Sequence, residues 1–358
     1  MKDIYRKINL ALENSGYSRL QSNTDFRLLG EGAWHEAYLV KLKGNHWLVI
    51  RFPKKQAYGK SVSFNWQEMF SEYSGNGLYY QQANAVMPGI CPEEYEFYVD
   101  PELTYTIESY MGKPIDLSAT DTSVGRDYGV QLGDFFRKMD DVKPNLTGFG
   151  HLIWEDGKLK GEYNVERQKF MADEKDEFLL EWAQLRDTNL SFDRLAIQEK
   201  LLQCLENRSF SFVSLTNQDT SPENLIIHNG RVHIIDPLPV LYSGFVFAGN
   251  HVNNYQTLFL TYYKSPRYVK HQFHKHKEVL HALAAGFEEG YTERLVERKR
   301  ALKIEQFLQL FSLCHTNYRV LQKEINKETY MRMGDKQAIE SRLPIYLEEL
   351  EAFELENL

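Results

Sequence analysis

The sequence predicts an α+β protein of two lobes: a small antiparallel β-sheet lobe with one main helix, followed by a larger, mostly helical lobe. Short β-rich runs separated by glycine turns fill the stretch from Phe26 to about residue 110. The remainder is rich in Leu, Glu, Lys and Gln at helical spacing. We therefore place the lobes at residues 1–111 and 112–358, packed as one unit because no repeat or low-complexity linker separates them.

The elements of the first lobe follow in order along the chain. An amphipathic helix is expected over residues 4–14, ended near Gly16. The run FRLLGEGAWHEAYLVKLKGNHWLVIRF predicts successive antiparallel strands broken at Gly30, Gly32 and Gly44. FNWQEMFSEYSGNGLYYQQA is helical in its first half, and EFYVD and LTYTIESYM return to strand character.

The second lobe is predicted to be helical except for one hairpin. The segments with helical spacing are 123–141, 164–186, 194–206, 269–298, 301–326 and 336–355. The hairpin turns at Asn229-Gly230, because both central positions of such a turn need positive φ and these residues tolerate it. Pairing outward from this turn places Asn224 opposite Ile235, so that Asn224 and Asp236 end side by side.

Composition limits the classes of function. A net charge of −8 argues against a nucleic-acid binder that relies on a general basic surface. The three cysteines are widely spaced, which favours buried packing residues in a reducing compartment. No stretch approaches about eighteen apolar residues, and the N-terminus carries no small-residue cleavage site. We therefore expect a soluble, cytoplasmic protein that does not enter a membrane, of undetermined oligomeric state.

Three oxygen-bearing side chains are predicted to converge at one end of the hairpin. Asp219 lies in the loop that enters this end, so it joins Asn224 and Asp236 as a possible ligand of a hard cation. Turn chemistry is the ordinary explanation for one such residue. Three at these spacings, on a hairpin that brings two of them together, favour a site for a hard cation and its ligand.

These residues resemble the motif of the kinase-like phosphotransferases that include aminoglycoside phosphotransferases, choline kinases and fructosamine kinases. The family pattern is His-x-Asp-x-x-x-x-Asn with an Asp about a dozen residues later, and the chain places there Asn217, Asp219, Asn224 and Asp236. The resemblance implies a protein-kinase-like fold with Asp219 as the catalytic aspartate. It also implies that Asn224 and Asp236 bind Mg²⁺, and that Asn217 replaces the histidine that braces the catalytic loop.

The resemblance extends upstream to nucleotide binding. Gly30 and Gly32 resemble the glycine-rich loop over the nucleotide phosphates, where absent side chains let backbone N–H groups approach closely. Arg51 in the strand LVIRF stands where the family has a Lys or Arg that pairs with the α and β phosphates. Its ion-pair partner is expected on the following helix. Glu68 and Glu72 are both candidates, and Glu72 is favoured by its distance from the sequence VMP.

The stretch YTIESYMG, residues 105–112, resembles the hinge strand that joins the two lobes in this family. Its backbone usually contacts adenine, which implies nucleotide contacts at Glu108 and Tyr110. The whole resemblance implies an enzyme that uses ATP or GTP with Mg²⁺ to phosphorylate a hydroxyl group. The acceptor would be a small molecule such as an aminoglycoside, an amino sugar or a choline-like compound, and a protein acceptor is the alternative.

The chain departs from the family pattern at several positions. Asn217 replaces the motif histidine, His35 replaces the third loop glycine, and Pro237-Leu238 follows Asp236. These departures motivate an alternative of another class. In that alternative the protein is a nucleotide-binding pseudokinase with a regulatory or scaffolding role.

A second group of titratable side chains comprises His271, His274, His276 and His281. The first two have a spacing that lets metal ligands share one helix face. The interspersed lysines repel a cation, so a solvated basic face is the favoured interpretation. Attraction of an anionic partner or substrate group is a further alternative, which the sequence leaves open.

Overall fold

A computed structural model describes residues 2–58, 60–210 and 212–355 of the chain. The strands are β1 (Phe26–Glu31), β2 (His35–Lys41), β3 (Trp47–Pro53), β4 (Gln56–Ala57), β5 (Lys60–Ser61), β6 (Tyr95–Tyr98), β7 (Tyr105–Ser109), β8 (Phe149–Glu155), β9 (Lys158–Tyr163), β10 (Ser214–Asn217), β11 (Leu225–His228), β12 (Arg231–Ile234) and β13 (Pro239–Tyr242). The α-helices are α1 (Lys2–Asn14), α2 (Trp66–Val86), α3 (Thr122–Asp140), α4 (Arg167–Arg186), α5 (Arg194–Asn207), α6 (Gly244–Asn253), α7 (Phe259–Thr261), α8 (Lys277–Thr292), α9 (Val296–Leu321), α10 (Lys327–Met333), α11 (Lys336–Glu340) and α12 (Leu343–Ala352). Within the described ranges, none of these helices has the length and apolar character needed to span a bilayer.

The predicted class, an antiparallel N-terminal sheet followed by a mainly helical part, is confirmed. The N-terminal sheet has five antiparallel strands in the order β1-β2-β3-β7-β6. Leu48 and Ile50 of β3 are fully buried in one cluster with Ile8 of α1. Because side chains alternate along a strand, Arg51 points to the opposite face of the sheet. The division of the chain at residues 111 and 112 stays a prediction.

Glycines allow two helices of the second lobe to pack backbone against backbone. A Cβ atom added to Gly129 or Gly133 of α3 would lie 2.1 or 2.2 Å from a carbonyl oxygen of α8. Gly286 and Gly290 of α8 approach carbonyl oxygens of α3 to 2.0 and 2.2 Å in the same way. Residues four apart share one helix face. The two glycines of each helix therefore face the other helix, at positions where a larger residue would clash with its backbone.

The second lobe contains more strand than predicted. Strands β10, β13, β8 and β9 form a four-stranded antiparallel sheet in that order, so the prediction of a single hairpin there is wrong. The sequence pattern hides these strands for two reasons. Gly148 and Gly150, with φ of 86° and 89°, interrupt the side-chain alternation at the start of β8. Strand β10 is buried on both faces and therefore does not alternate.

Helix boundaries differ from the prediction in three segments. Residues 269–298 contain a short 3₁₀ turn, α8 and the first residues of α9, because Glu293 and Arg294 adopt left-handed φ values of 49° and 61° and end α8. The segment predicted at 301–326 begins earlier and ends earlier, as α9. The segment predicted at 336–355 divides into α11 and α12, and Pro344 lies in the first turn of the latter.

The cysteines are buried and unpaired, as predicted. Burial raises the pKa of the Cys91 thiol well above its usual value, and it raises the pKa of Cys314 to about 12. These thiols are therefore protonated packing residues and not reactive ones.

Candidate active site

The β11–β12 hairpin brings Asn224 and Asp236 together as predicted. All four facing pairs of its strands follow the expected register, and Asn229 and Gly230 at the turn have φ values of 50° and 73°. One step beyond the paired strands, the Ile235 amide donates to the Asn224 carbonyl oxygen at 3.1 Å. Nδ2 of Asn224 lies 3.4 Å from the carbonyl oxygen of Asp236. The two predicted metal ligands therefore leave the same end of a rigid ribbon.

The loop that carries Asp219 is braced by Asn217, which is 1% exposed. Its Nδ2 donates to the Asp219 carbonyl oxygen at 3.0 Å, and its Oδ1 accepts from the amides of Asp219 and Leu238 at 3.0 and 2.8 Å. The Ser221 amide donates to Asp219 Oδ1 at 3.1 Å. Burial raises the pKa of Asp219, while the hydrogen bonds from Ser221 and the charge of Arg267 oppose that rise. Asn217 thus occupies a bracing position in the loop.

Arg51 joins the two lobes through a pair of carboxylates. Its Nη2 lies 2.7 Å from Glu108 Oε1, and its Nη1 lies 2.8 Å from Asp236 Oδ1. Across the β3–β7 pair Arg51 faces Thr106, so Glu108, two residues further along β7, lies on the same face of the sheet. The arginine, 12% exposed, is therefore neutralised by one carboxylate from its own sheet and by one from the hairpin.

The predicted pair between Arg51 and Glu72 is wrong. Among the residues that the structure describes, the ion pairs of Arg51 are with Glu108 and Asp236, and the alternative Glu68 is not a partner either. The reason is that the adjacent strand β7 supplies an acid closer than any on α2. Glu72 lines the pocket that also contains Arg51, Glu108 and Asp236. The Glu72 side chain is exposed to solvent. Protein atoms around its carboxylate nevertheless desolvate it, which raises the pKa of Glu72 to about 7.

Tyr80 belongs to this site, and the sequence analysis did not identify it. Its hydroxyl donates to Glu108 Oε2 at 3.2 Å and accepts from the Asp236 amide at 3.0 Å. It therefore ties the N-terminal sheet to Asp236, whose backbone has a left-handed φ of 50°. A signal exists in the sequence, because Glu72, Asn76 and Tyr80 follow a spacing of four residues and thus share one face of α2. All three line the pocket that contains Arg51.

Gly32 lies in the β1–β2 turn, as predicted, whereas Gly30 does not break the strand: it lies inside β1, beside a shift in register, and pairs with Ala37. Neither has a positive φ. In the described ranges, an added Cβ atom meets nothing within 4 Å at Gly30, and only the His35 carbonyl oxygen at 3.6 Å at Gly32. The absent side chains thus leave space above this turn. His35 Nε2 lies 2.8 Å from the Tyr73 hydroxyl, and burial lowers the pKa of His35 to about 4, so the ring is neutral at pH 7.

Glu108 and Tyr110 occupy the predicted connection between the lobes. Glu108, 3% exposed, directs its side chain to Arg51. The Tyr110 amide donates to the Trp47 carbonyl oxygen at 3.1 Å. A nucleotide base would therefore contact the carbonyl of Tyr110 or the backbone of the residues that follow. The nucleotide contacts of these two residues stay predictions.

The oxygen atoms of Asn224 and Asp236 suit a magnesium ion. The Asp236 side chain is 49% exposed, and Asn224 uses its amide nitrogen on a backbone carbonyl, which leaves its side-chain oxygen for another partner. No group of three or more His, Cys, Asp or Glu side chains in the described ranges is arranged for a metal ion. Magnesium beside a nucleotide usually takes only one or two carboxylates and completes its shell with phosphate oxygens and water, so this donor set fits. A metal ion would compete with Arg51 for Asp236.

Three of the four histidines of the second titratable group have separate surroundings. His271 Nε2 lies 2.9 Å from Glu223 Oε1, so this histidine contacts the loop that carries Asp219. The His274 ring packs against Tyr263 with centroids 4.2 Å apart. His281 Nε2 lies 3.3 Å from the carbonyl oxygen of Gln256.

No protein-family model and no curated protein matches the chain. Solved structures do match its fold. An ethanolamine kinase from Plasmodium vivax has a TM-score of 0.54 at 13% identity, over 96% of this chain and 87% of that one. A thermostable mutant of aminoglycoside phosphotransferase APH(4)-Ia has a TM-score of 0.51 at 17% identity, over 95% and 97%. A macrolide 2'-phosphotransferase from Brachybacterium faecium has a TM-score of 0.51 at 9% identity, over 91% and 97%.

Another mutant of that aminoglycoside phosphotransferase, solved with ADP and hygromycin B, has a TM-score of 0.52 at 15% identity, over 95% of this chain and 97% of that one. At these identities the matches establish the fold. The predicted likeness to the kinase-like phosphotransferases is therefore confirmed at the level of the fold.

Proposed function

We propose that the protein is a phosphotransferase that uses a nucleoside triphosphate and Mg²⁺ to phosphorylate a hydroxyl group of a small molecule. One observation carries this proposal: the ion pair of 2.8 Å between Arg51 of the N-terminal sheet and Asp236 of the hairpin. It joins a cation that suits phosphate oxygens to a carboxylate that suits magnesium, at the point where the lobes meet.

The nucleotide phosphates bind between the β1–β2 turn and Arg51. Backbone N–H groups near Gly30 and Gly32 approach the phosphates closely because no side chain intervenes. Asn224 and Asp236 would hold Mg²⁺, which would neutralise phosphate charge. Glu108 and Tyr80 keep Arg51 and Asp236 oriented before the nucleotide arrives. The base lies against the backbone near Tyr110.

Asp219 orients the acceptor hydroxyl and accepts its proton as the new oxygen–phosphorus bond forms and the bond to the leaving nucleoside diphosphate breaks. The brace provided by Asn217 and the Ser221 amide fixes the position of the carboxylate. Most of the rate enhancement in such a transfer comes from positioning and charge stabilisation. The fixed loop is therefore as important as the proton acceptor itself.

The donor is ATP or GTP. Overall composition favours an acceptor with an amine, such as an aminoglycoside, an amino sugar or a choline-like compound, since the chain is acidic and rich in aromatic residues. The three buried, unpaired cysteines support a cytoplasmic location.

A nucleotide-binding pseudokinase is the second candidate. It is favoured by the same ion pair, because Arg51 already neutralises the carboxylate that magnesium needs. The two candidates differ in turnover and agree in nucleotide binding.

The test compares the wild-type protein with Asp219→Asn. We expect thermal stabilisation by Mg·ATP in both proteins, and a loss of phosphate transfer by a factor of about 10²–10⁴ in the variant, as for removal of a general base. Asp141→Asn is the control, because Asp141 is 66% exposed and directly follows the C-terminal end of α3. Equal transfer by wild type and Asp219→Asn would refute the role of Asp219. Nucleotide binding without transfer to any acceptor would select the pseudokinase.

A further inference from the structure

We propose that Arg267 is a specificity-determining residue that receives an anionic group, a carboxylate or a phosphate, carried by the acceptor. This inference rests on the proposed function, since it names the class of acceptor that the same site takes. It replaces the amine-bearing acceptor that overall composition favours.

Arg267 lies beside the loop that carries the catalytic residues. Its Nη2 is 4.0 Å from Oε2 of Glu223, which directly precedes Asn224 in a 3₁₀ turn. Glu223 follows Asp219 by four residues, so the guanidinium borders the loop that carries the aspartate predicted to meet the acceptor hydroxyl. An acceptor that presents its hydroxyl to Asp219 would therefore extend toward Arg267.

The guanidinium of Arg267 is only weakly paired with carboxylates of the protein. Its only ion pair with a described residue is the one with Glu223, at a distance too long for a hydrogen bond. The Glu223 carboxylate is instead engaged by His271 at 2.9 Å. Arg267 Nη1 donates to the neutral hydroxyl of Tyr58 at 3.0 Å. The side chain remains 30% exposed, and a guanidinium offers further N–H donors in the fork geometry that matches carboxylate and phosphate.

The N-terminal lobe closes over this arginine. Tyr58 lies between β4 and β5 with a left-handed φ of 49°, and its hydroxyl accepts the hydrogen bond from Arg267. The same hairpin contacts α10, since Lys60 Nζ lies 2.6 Å from Glu328 Oε2 and the Arg332 guanidinium lies 5.9 Å from the Tyr58 ring. Arg267 is therefore held by contacts from both lobes.

Local charge at this place opposes an amine. Arg267, the exposed Lys270 and His271 lie on one segment, and His271 Nε2 lies 2.9 Å from Oε1 of Glu223. Glu223 is thus already matched by protein cations. A cationic acceptor would meet like charge here, whereas an anionic one would find a partly exposed guanidinium.

The experiment uses acceptors that share one frame and differ in charge: gluconate, glucose and glucosamine, with glucose 6-phosphate to separate phosphate from carboxylate recognition. Binding to the full-length protein is measured by calorimetry in the presence of Mg²⁺ and a non-hydrolysable ATP analogue, and transfer is measured with ATP. The proteins are wild type, Arg267→Met, Arg267→Lys, and the control Lys264→Met, which alters an exposed lysine on the same segment.

We expect wild type to bind an anionic member most tightly. Arg267→Met should weaken that binding by about 10–100-fold, the range for a hydrogen bond to a charged group, and leave the neutral member unchanged. Arg267→Lys should restore part of the loss, and Lys264→Met should resemble wild type. Equal binding of neutral, cationic and anionic members by wild type, or an unchanged preference in Arg267→Met, would overturn the inference.

The two levels of the account fail separately. Transfer to glucose or glucosamine in preference to both anions, lost in Asp219→Asn, would keep the proposed function and overturn the role of Arg267. Binding of an anion that depends on Arg267, without transfer of phosphate, would keep the role of Arg267 and overturn the proposed catalysis.

Discussion

Two arginines at low exposure show that one charge pattern serves two purposes in this molecule. Each pairs with two carboxylates, and each group includes a tyrosine hydroxyl. The group at the junction of the lobes, here the cleft cluster, comprises Arg51, Glu108, Asp236 and Tyr80. The group within the second lobe, here the interior cluster, comprises Arg208, Glu305, Glu174 and Tyr242.

The two clusters differ in how open their acids are. In the interior cluster Glu305 is 2% exposed, Glu174 is 20% exposed and Arg208 is 6% exposed, so the charges are largely screened from solvent by protein. In the cleft cluster Asp236 is 49% exposed on a backbone of left-handed φ. An arginine and two acids therefore do not by themselves indicate a site. The feature that distinguishes the cleft cluster is an acid, Asp236, that is paired with the arginine and also exposed to solvent.

The largest effect should follow from breaking the interior cluster. Arg208→Met leaves Glu305 buried without its cation, and we expect the free energy of unfolding to fall by about 3–5 kcal/mol. Urea denaturation at pH 7 measures this loss. Arg186→Met, at an arginine that is 47% exposed beside Asp187, should change the same quantity by no more than about 1 kcal/mol. A loss for Arg208→Met as small as that of the control would contradict a structural role for the cluster.

A second contrast concerns glycines of the two lobes. Gly133→Ala forces a Cβ to within 2.2 Å of a carbonyl oxygen of α8, and we expect a loss of about 3 kcal/mol, the upper end for overpacking. Gly30→Ala adds a methyl group in open space and should change stability by less than about 1 kcal/mol. Thermal unfolding of both variants checks the difference. The comparison fails if Gly30→Ala is the more damaging change.

A third effect is a pH dependence that arises in the second lobe. Burial lowers the pKa of His251 to about 3 from an ordinary value of 6.5. Between these values the unfolded chain binds more protons than the folded one, so stability rises with pH through this window and is lost as pH falls. We expect a loss of about 2 kcal/mol from this group between pH 7 and pH 5. His251→Gln should remove that part of the pH dependence of urea unfolding, and His228→Gln, at an exposed histidine, should not.

The smallest effect on stability should come from the open acid of the cleft cluster. Asp236→Asn keeps the Glu108 partner of Arg51, and half of the altered side chain is already in solvent. We expect a change of less than about 1 kcal/mol in the free energy of unfolding. If this change equals that of Arg208→Met, the distinction between the clusters is lost.

These contrasts also explain which features the sequence could predict. The hairpin that joins Asn224 to Asp236 follows from a local signal, because the Asn229-Gly230 turn fixes the register of its own strands. The partner of Arg51 depends instead on which strands are neighbours in the sheet, and β3 pairs with β7 across more than 50 residues of chain. Local spacing pointed to Glu72 on the next helix, and sheet order selected Glu108.

The other omissions have similar causes. Tyr80 and Arg267 act through contacts with residues distant in sequence, such as Asp236 and Tyr58, and neither belongs to a short motif. The sheet of the second lobe was hidden because glycines interrupt its strands. Local chemistry, such as the turn, the Asp219 loop and the amphipathic helices, was accessible to sequence reasoning. Partners created by packing were not.

The central claim is that the cleft cluster is a site for a nucleotide with its metal ion. The most direct test is calorimetric titration of wild type, Asp236→Asn and the control Asp141→Asn with ATP, with and without Mg²⁺. The account predicts binding by wild type that Mg²⁺ strengthens, at least about a tenfold loss of the Mg²⁺-dependent affinity in Asp236→Asn, and no change in the control. Equal affinity of wild type and Asp236→Asn for Mg·ATP would contradict it.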